Sequence, residues 1–333
     1  MTNLQTPATT TSHEASFQFL RAALRERIIA QDALVDRLLI ALLADGHLLV
    51  EGVPGLAKTT AIKALAGFVD ANFHRIQFTP DLLPADLTGT EVYRPQDGSF
   101  AFQRGPLFHN VLLADEINRA PAKVQSALLE AMAERQITVG GATYPLPALF
   151  LVMATQNPIE QEGTYPLPES QLDRFLLHVR VDYPAAEAEL KILALARSKA
   201  LNAQELEPST QERQISEASI LAARREVLGV HLAPALERYL AELVLATREP
   251  GRYSEELRGW IAFGASPRAT IALDRCARAN AWLEGRSYVT PEDIQTLAPN
   301  VLRHRVLLNY QAEADGMNAD RIIEFLLDAV AVP

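Results

Sequence analysis

Apolar and polar positions repeat with two different periods along this chain. From about residue 16 to residue 183, segments with helical spacing alternate with short, wholly apolar runs, and beyond residue 183 only helical spacing continues. A short run without polar alternation is typical of a strand that is buried on both faces. The pattern therefore predicts an α/β fold in which a doubly wound parallel sheet is followed by a smaller, all-helical domain.

The domain boundaries follow from where the pattern changes. Residues 1–13 are rich in threonine and lack core-forming spacing, so they are predicted to form a disordered tail. Residues 14–184 are predicted to form the α/β core, and residues 185–333 the helical domain. Within the core, residues 88–106 and 134–146 alternate apolar and polar side chains around a glycine-containing turn, which predicts two hairpins.

The first apolar run, residues 47–50, leads into a glycine-containing loop and then into a helical pattern. In such a loop the backbone N–H groups converge on an anion, and the following helix points its positive end at the same place. Lys58 supplies a charge for terminal phosphates and Thr59 a hydroxyl for Mg²⁺. An ordinary turn with a solvated Lys58 is the alternative. The residues predicted to contact phosphates are Gly52, Val53, Pro54, Gly55, Leu56, Ala57, Lys58, Thr59 and Thr60.

The position before Lys58 departs from the generic phosphate-binding pattern. That pattern has glycine there, and this chain has Ala57. If the position needs a positive φ, alanine costs about 1 kcal/mol relative to glycine, which a well-packed loop can absorb.

Two later apolar runs also end in polar side chains. Asp115 and Glu116 follow residues 110–114, and Asn157 follows residues 149–154. Because side chains alternate along a strand, the two acids face different ways. Asp115 is predicted to hold Mg²⁺ through water, and Glu116 to polarise the attacking water.

Asn157 is predicted to orient that water or to contact the γ-phosphate. Each of these assignments has an alternative: the acids can cap the helix that follows, and an asparagine before a proline is often only a turn residue.

In this order, the motifs resemble those of AAA+ ATPases with a P-loop core and a helical lid, and most closely those of the MoxR group. The resemblance rests on the loop with alanine before its lysine, on residues 115–121 and 154–158, and on two later stretches, 172–175 and 264–268. It covers nearly everything after the first dozen residues.

The resemblance implies a role for each candidate residue. Lys58 and Thr59 match the Walker A positions, Asp115 and Glu116 match Walker B, and Asn157 matches sensor 1. The implied cofactors are ATP and Mg²⁺.

Two arginines complete the implied site. Arg174 resembles the arginine finger that reaches the nucleotide of a neighbouring subunit, where a guanidinium neutralises charge that develops in the transition state. Arg268 resembles sensor 2, carried by a lid that closes over the nucleotide of the same subunit. The alternatives are a surface ion pair of Arg174 with Asp173 or Asp182, and a solvated Arg268 at a helix start.

The resemblance extends to the base and to the hairpins. Ile28, Ile29 and Gln31 lie in a segment similar to the one that holds the adenine ring, although Ala30 stands where glycine is usual. The two predicted hairpins resemble the helix-2 insert and the hairpin before sensor 1, which would face the pore of a ring. Alternatively, they only extend the fold.

Composition indicates which kind of partner the protein has and in which cellular compartment it works. The chain has 333 residues, 48% of them apolar, which is enough for one α/β core and one smaller domain. A formal net charge of −10 argues against nucleic acid as the main partner. A single cysteine, Cys276, fits a reducing cytoplasm. No signal peptide and no run long enough for membrane insertion are recognised, so a cytoplasmic protein is expected.

The implied function is that of a homo-oligomeric, hexameric ring that hydrolyses ATP and remodels a protein client. The MoxR resemblance implies chaperone-like maturation of protein complexes or metalloenzymes, together with a partner that has a von Willebrand factor A domain. Two alternatives remain within the same branch of ATPases: a nucleic-acid motor or transcription regulator, and the ATPase subunit of a metal chelatase.

Overall fold

The computed structural model describes residues 12–96, 98–159, 163–201 and 214–333. The predicted tail lies outside these residues except for Ser12 and His13, which belong to the first helix rather than to a tail. His13 Nδ1 lies 2.8 Å from a carboxylate oxygen of Glu226, and this contact holds the start of the helix against the helical domain.

The elements of the described residues are as follows. The strands are β1 (Leu48–Gly52), β2 (Phe73–Gln77), β3 (Gly89–Arg94), β4 (Ser99–Arg104), β5 (Val111–Asp115), β6 (Gln136–Val139), β7 (Ala142–Pro145), β8 (Leu151–Gln156), β9 (Leu177–Val181), β10 (Ile261–Phe263) and β11 (Leu307–Leu308). The helices are α1 (Ser12–Arg27), α2 (Asp32–Leu43), α3 (Lys58–Phe68), α4 (Pro84–Thr88), α5 (Ala122–Glu134), α6 (Glu169–Leu172), α7 (Ala186–Leu201), α8 (Glu217–Leu228), α9 (Pro234–Arg248), α10 (Glu255–Trp260), α11 (Pro267–Leu283), α12 (Pro291–Leu302), α13 (Tyr310–Ala314) and α14 (Ala319–Ala329).

Among the described residues, five strands form one parallel sheet in the order β2-β5-β8-β1-β9. Its central strands are the apolar runs that the sequence analysis identified. The register places Leu48 opposite Met153 and Val111 opposite Leu151, so the phosphate-binding loop and the ends of β5 and β8 meet at the carboxyl edge of the sheet. The predicted doubly wound parallel sheet is confirmed.

Alternation along the central strands divides the core into two layers. Val111 and Leu113 point into one buried cluster, and Leu112 and Ala114 into the other. The first cluster is continuous with α1, α2, α3 and the apolar faces of the helical lid, whereas the second packs against α4 and α5. The lid is therefore joined to one face of the sheet through a shared apolar core.

The lid is mainly helical, as predicted, but it also contains a short antiparallel strand pair, β10 with β11. Three residues in one strand and two in the other are too few to give a recognisable strand pattern in a sequence. Within the described residues, no helix has both the length and the apolar character needed to cross a membrane.

Two antiparallel hairpins project from the core, β3–β4 and β6–β7. They come from different parts of the chain but are joined by side chains, because the rings of Phe102 and Tyr144 stack with their centroids 4.3 Å apart. Phe102 also packs edge-on against Phe108, at 5.8 Å. Tyr93 and Phe100 lie next to each other in the β3–β4 hairpin and are exposed.

Candidate active site

A cleft of about 570 Å³ lies at the carboxyl edge of the sheet. Its floor is the loop between β1 and α3, and one wall is formed by the ends of β5 and β8. It gathers most of the predicted site residues from four separate stretches of the chain. The predicted residues that line it are Ile29, Gln31, Pro54, Gly55, Leu56, Ala57, Lys58, Thr59, Thr60, Asp115, Glu116 and Asn157.

The loop reaches this shape through left-handed backbone conformations. Gly55 has a φ of 88°, and Ala57 has a φ of 57° and a ψ of 14°. Ala57 therefore occupies the conformation for which the generic pattern uses glycine. Gly52 is required for another reason, since a Cβ there would lie 2.7 Å from the carbonyl oxygen of Val181.

Lys58 begins α3 and extends back over the loop. Its ammonium group donates a hydrogen bond to the carbonyl of Gly52. Burial lowers the pKa of Lys58, although the carboxylates of Asp115 and Glu116 act in the opposite direction. A partly desolvated ammonium gains more from an anionic ligand than a hydrated one does, so this position suits a phosphate.

Asp115 ends β5 and Glu116 follows it outside the strand, and the two acids contact different partners. Asp115 accepts hydrogen bonds from Arg75, with the shorter at 2.7 Å. Glu116 lies in a left-handed conformation with a φ of 57° and accepts from Gln77 at 2.7 Å and from Arg119 at 3.1 Å. Both carboxylates therefore face polar groups along the open rim of the cleft.

Asn157 is buried at 6% exposure, just beyond the end of β8. Its side-chain oxygen accepts a hydrogen bond from the backbone N–H of Ile159 at 3.2 Å. The turn role that was the alternative for this residue is therefore present, and it orients an amide that lines the cleft.

Arg174 and Arg268 lie elsewhere, in a second cleft of about 350 Å³ between the core and α11. This cleft adjoins residues 45–47, which precede β1, and residues 173–176, which precede β9. It therefore lies at the amino edge of the parallel sheet, opposite the first cleft. The expectation that the lid brings Arg268 over the nucleotide of its own subunit does not match this arrangement.

Asp173 lies between the two arginines, next to Arg174 in the chain and in contact with Arg268. One of its oxygens pairs with the buried Arg305 at 2.8 Å. The other accepts a hydrogen bond from Ser266, the N-cap of α11, at 2.9 Å and lies 3.7 Å from Arg268. Arg174, the next residue, donates to the carbonyl of Leu129 at 2.6 Å. The core and the lid thus present their arginines on one common rim.

Known proteins share this architecture and a large part of the sequence. Residues 47–177 match the family model described as ATPase family associated with various cellular activities (AAA), and residues 258–325 match the AAA lid domain. Over 307 residues the chain is 47% identical to a protein of Mycobacterium tuberculosis named chaperone MoxR1, and the match covers 92% of this chain and 79% of that protein. This chain belongs to the MoxR family of AAA+ ATPases.

Two further similarities cover nearly the whole chain. The MoxR-family protein described here is 35% identical over 329 residues to protein MoxR of Paracoccus denitrificans, with 95% and 94% of the two chains covered. The crystal structure of a candidate ATPase from Cytophaga hutchinsonii matches with a TM-score of 0.87 at 46% identity over 96% of each chain. The predicted family and ATPase activity are confirmed.

The base side of the cleft in this MoxR-family ATPase differs in part from the prediction. Ile29 and Gln31 line the cleft, but Ile28 is 1% exposed and belongs to the apolar core. Because the N–H of Ile28 donates to the carbonyl of Leu24 as in one more turn of α1, its side chain lies on the same buried face as Leu24. Ala30 then turns the chain with a φ of 60°, a second alanine in a position typical of glycine.

Several residues of the cleft were not identified from the sequence. Arg27 and Arg75 line it, and α7 covers it with Glu189 and the side chains of Ile192, Leu195 and Ala196. Helical spacing alone could not show that α7 turns back over the nucleotide-binding loop, since this placement depends on tertiary packing.

Thr155 is the most important of the residues that were missed. It lies on β8, is 1% exposed, and joins that strand to both acids of β5. Its hydroxyl donates to Asp115 at 2.5 Å and accepts from the backbone N–H of Glu116 at 2.9 Å. In the sequence, the only indication of this role is that Thr155 is a polar residue near the end of an apolar strand.

Proposed function

We propose that this MoxR-family ATPase works as a ring that hydrolyses Mg-ATP at the contacts between subunits and uses the energy to remodel a bound protein. One observation carries the proposal. The phosphate-binding loop and the acids lie at one edge of the sheet, and the arginines Arg174 and Arg268 lie at the opposite edge. Head-to-tail association brings these two edges together, and such contacts close into a ring when the rotation permits.

Within one subunit, the first cleft supplies the groups that bind and activate. We assign the loop N–H groups and Lys58 to the phosphates of ATP. Glu116 accepts a proton from the attacking water, and Asn157 orients that water. The apolar side chains of α7 cover the base, together with Ile29.

The residues present fit a magnesium ion. Mg²⁺ in nucleotide sites keeps several waters and binds through one or two carboxylates together with phosphates, rather than through a protein cage. The hydroxyl of Thr59 and the carboxylate of Asp115 line the same cleft and supply this set. Such an ion neutralises charge on the phosphates.

The neighbouring subunit supplies the remaining cations. We propose that Arg174 and Arg268 both act on the nucleotide of the next subunit, because they line the same cleft, where Asp173 joins the start of α11 to the core. Guanidinium groups opposite the transferred phosphoryl group stabilise charge that develops in the transition state.

We propose that the client is a protein and that the activity is chaperone-like, as the name of the Mycobacterium tuberculosis relative says of that protein. A hexamer, a partner with a von Willebrand factor A domain and maturation of metalloenzymes are proposed from the family resemblance. A cytoplasmic location is proposed from the one cysteine, Cys276, which is buried and free.

The test uses two variants that damage opposite sides of one interface. Glu116→Gln keeps the shape of the acid but cannot take up a proton, so it should bind ATP while turnover falls at least about 100-fold. Arg174→Ala should also bind ATP and lose turnover by about 100-fold or more. Light scattering with and without Mg-ATP measures the size of the assembly.

Mixing the two variants tests whether the site is shared. In an equal mixture, about a quarter of the interfaces combine an intact Glu116 with an intact Arg174 of the neighbour, so activity should partly return. Arg252→Ala is the matched control. It removes an exposed lid arginine whose ion pair is with Glu249 in the same turn, and it should keep full activity. A monomer of constant specific activity, or no recovery at any ratio, would contradict the proposal.

A further inference from the structure

Arg75 forms an ion pair with Asp115, the carboxylate that the proposed function assigns to Mg²⁺. Its Nε and Nη2 atoms donate to Oδ2 of Asp115 at 3.1 and 2.7 Å. The other oxygen, Oδ1, accepts from the hydroxyl of Thr155 at 2.5 Å. Both oxygens of Asp115 are therefore already engaged by side chains of the protein.

The two partners of Asp115 differ in how easily they can be exchanged. Thr155 is 1% exposed and lies within the sheet, so its hydroxyl is fixed. The side chain of Arg75 is 50% exposed and extends from β2, one of the two edge strands of the five-stranded sheet. An ion pair with one exposed member is weak and is readily exchanged for another cation.

The position of Arg75 on its strand favours such an exchange. Side chains two residues apart share one face of a strand, and Arg75 accordingly also donates to Gln77 at 2.9 Å. Gln77 thus gives the guanidinium a second partner at the rim of the cleft, besides Asp115. Release of the carboxylate therefore needs a movement of one side chain only.

We propose that Arg75 is a positioning residue that holds Asp115 until Mg²⁺ replaces it, and so sets how strongly nucleotide binding depends on Mg²⁺. The inference rests on the proposed function, which assigns Asp115 to the metal. Because the ion pair must be broken before the carboxylate can face a hydrated Mg²⁺, the pair opposes binding of Mg-nucleotide but not binding of the free nucleotide.

The measurement is calorimetric binding of a non-hydrolysable ATP analogue in Mg²⁺ and in EDTA. The ratio of the two dissociation constants gives the gain from Mg²⁺ within each variant. Because the free nucleotide carries more negative charge than the Mg-nucleotide, loss of any nearby cation raises this ratio, and a control variant must measure that contribution. In Arg75→Gln this gain should rise about two- to fivefold over the wild type, the range expected for a partly exposed ion pair.

Arg119→Gln is the matched control, because it also removes one arginine beside the two acids, and the ion pair that it breaks is with Glu116 at 3.1 Å. Its gain should therefore rise less than that of Arg75→Gln, whereas Asp115→Asn should remove most of the gain. A gain in Arg75→Gln no larger than that in Arg119→Gln, beside a clear gain in the wild type, would overturn the role of Arg75 alone. No gain from Mg²⁺ in the wild type would overturn the metal assignment of Asp115 as well.

Discussion

Replacing Thr155 by valine should damage stability and catalysis together, because the two side chains have similar shapes and differ in one hydroxyl group. That hydroxyl donates to Asp115 at 2.5 Å and accepts from the N–H of Glu116 at 2.9 Å. Loss of a hydrogen bond to a charged group costs about 1.5–3 kcal/mol, and a buried N–H without a partner costs about 1–3 kcal/mol. Because both acids keep some contact with water, we expect a total of about 2–4 kcal/mol.

Urea unfolding of the ligand-free protein measures this loss, and steady-state ATPase assays measure its effect on the site. With Asp115 and Glu116 no longer joined to β8, kcat should fall at least about tenfold, equivalent to about 1.4 kcal/mol. Thr155→Ser retains the hydroxyl and is the control. If the valine variant is as stable and as active as the serine variant, Thr155 does not position the acids.

Three further predictions concern separate features of the fold. Ala57→Gly should change stability by less than about 0.5 kcal/mol in urea unfolding, because relief of the left-handed strain is offset by the flexibility of glycine in the unfolded chain; Ala57→Val should be clearly less stable than either. Burial lowers the pKa of His47 to about 3, so its stabilising effect is full above about pH 6.5 and is lost as the pH falls towards 3. His47→Asn, which can still accept from the N–H of Val152, should flatten the fall in unfolding free energy between pH 7 and pH 5 by up to about 1.4 kcal/mol per pH unit. Tyr144→Ala removes the stack on Phe102 and should speed hydrogen exchange in both hairpins, whereas Tyr144→Phe should not.

The sequence was sufficient to predict which residues share a site where those residues follow a buried strand. Apolar runs marked β1, β5 and β8, and the carboxyl ends of parallel strands meet at one edge. Lys58, Asp115 and Asn157 could therefore be assigned to one site before any contact between them was known. The structure brings all three to the same cleft.

The remaining features depend on contacts between distant segments that no local pattern specifies. β2 is an edge strand whose side chains are mostly exposed, so it lacks the apolar run that marks the central strands, and Arg75 was missed with it. The position of Arg268 depends on how α11 packs beside Asp173, which lies far earlier in the chain. Whether Ile28 or Ile29 faces the cleft depends on the residue at which α1 ends.

The stacked hairpins form a lever whose root adjoins the second cleft, which Arg135 lines at the end of α5. α5 starts shortly after Glu116, is 13 residues long, and leads directly into the β6–β7 hairpin, which Tyr144 joins to the β3–β4 hairpin. Each strand of the β3–β4 hairpin has 6 residues, so the arm is about 20 Å long at about 3.4 Å per residue. A rotation of about 5° at the root would then move the tip by about 2 Å, roughly half the spacing between two neighbouring strands. A rotation of α5 too small to alter the fold would thereby be enlarged into a displacement of Tyr93 and Phe100, the exposed aromatic side chains of this hairpin.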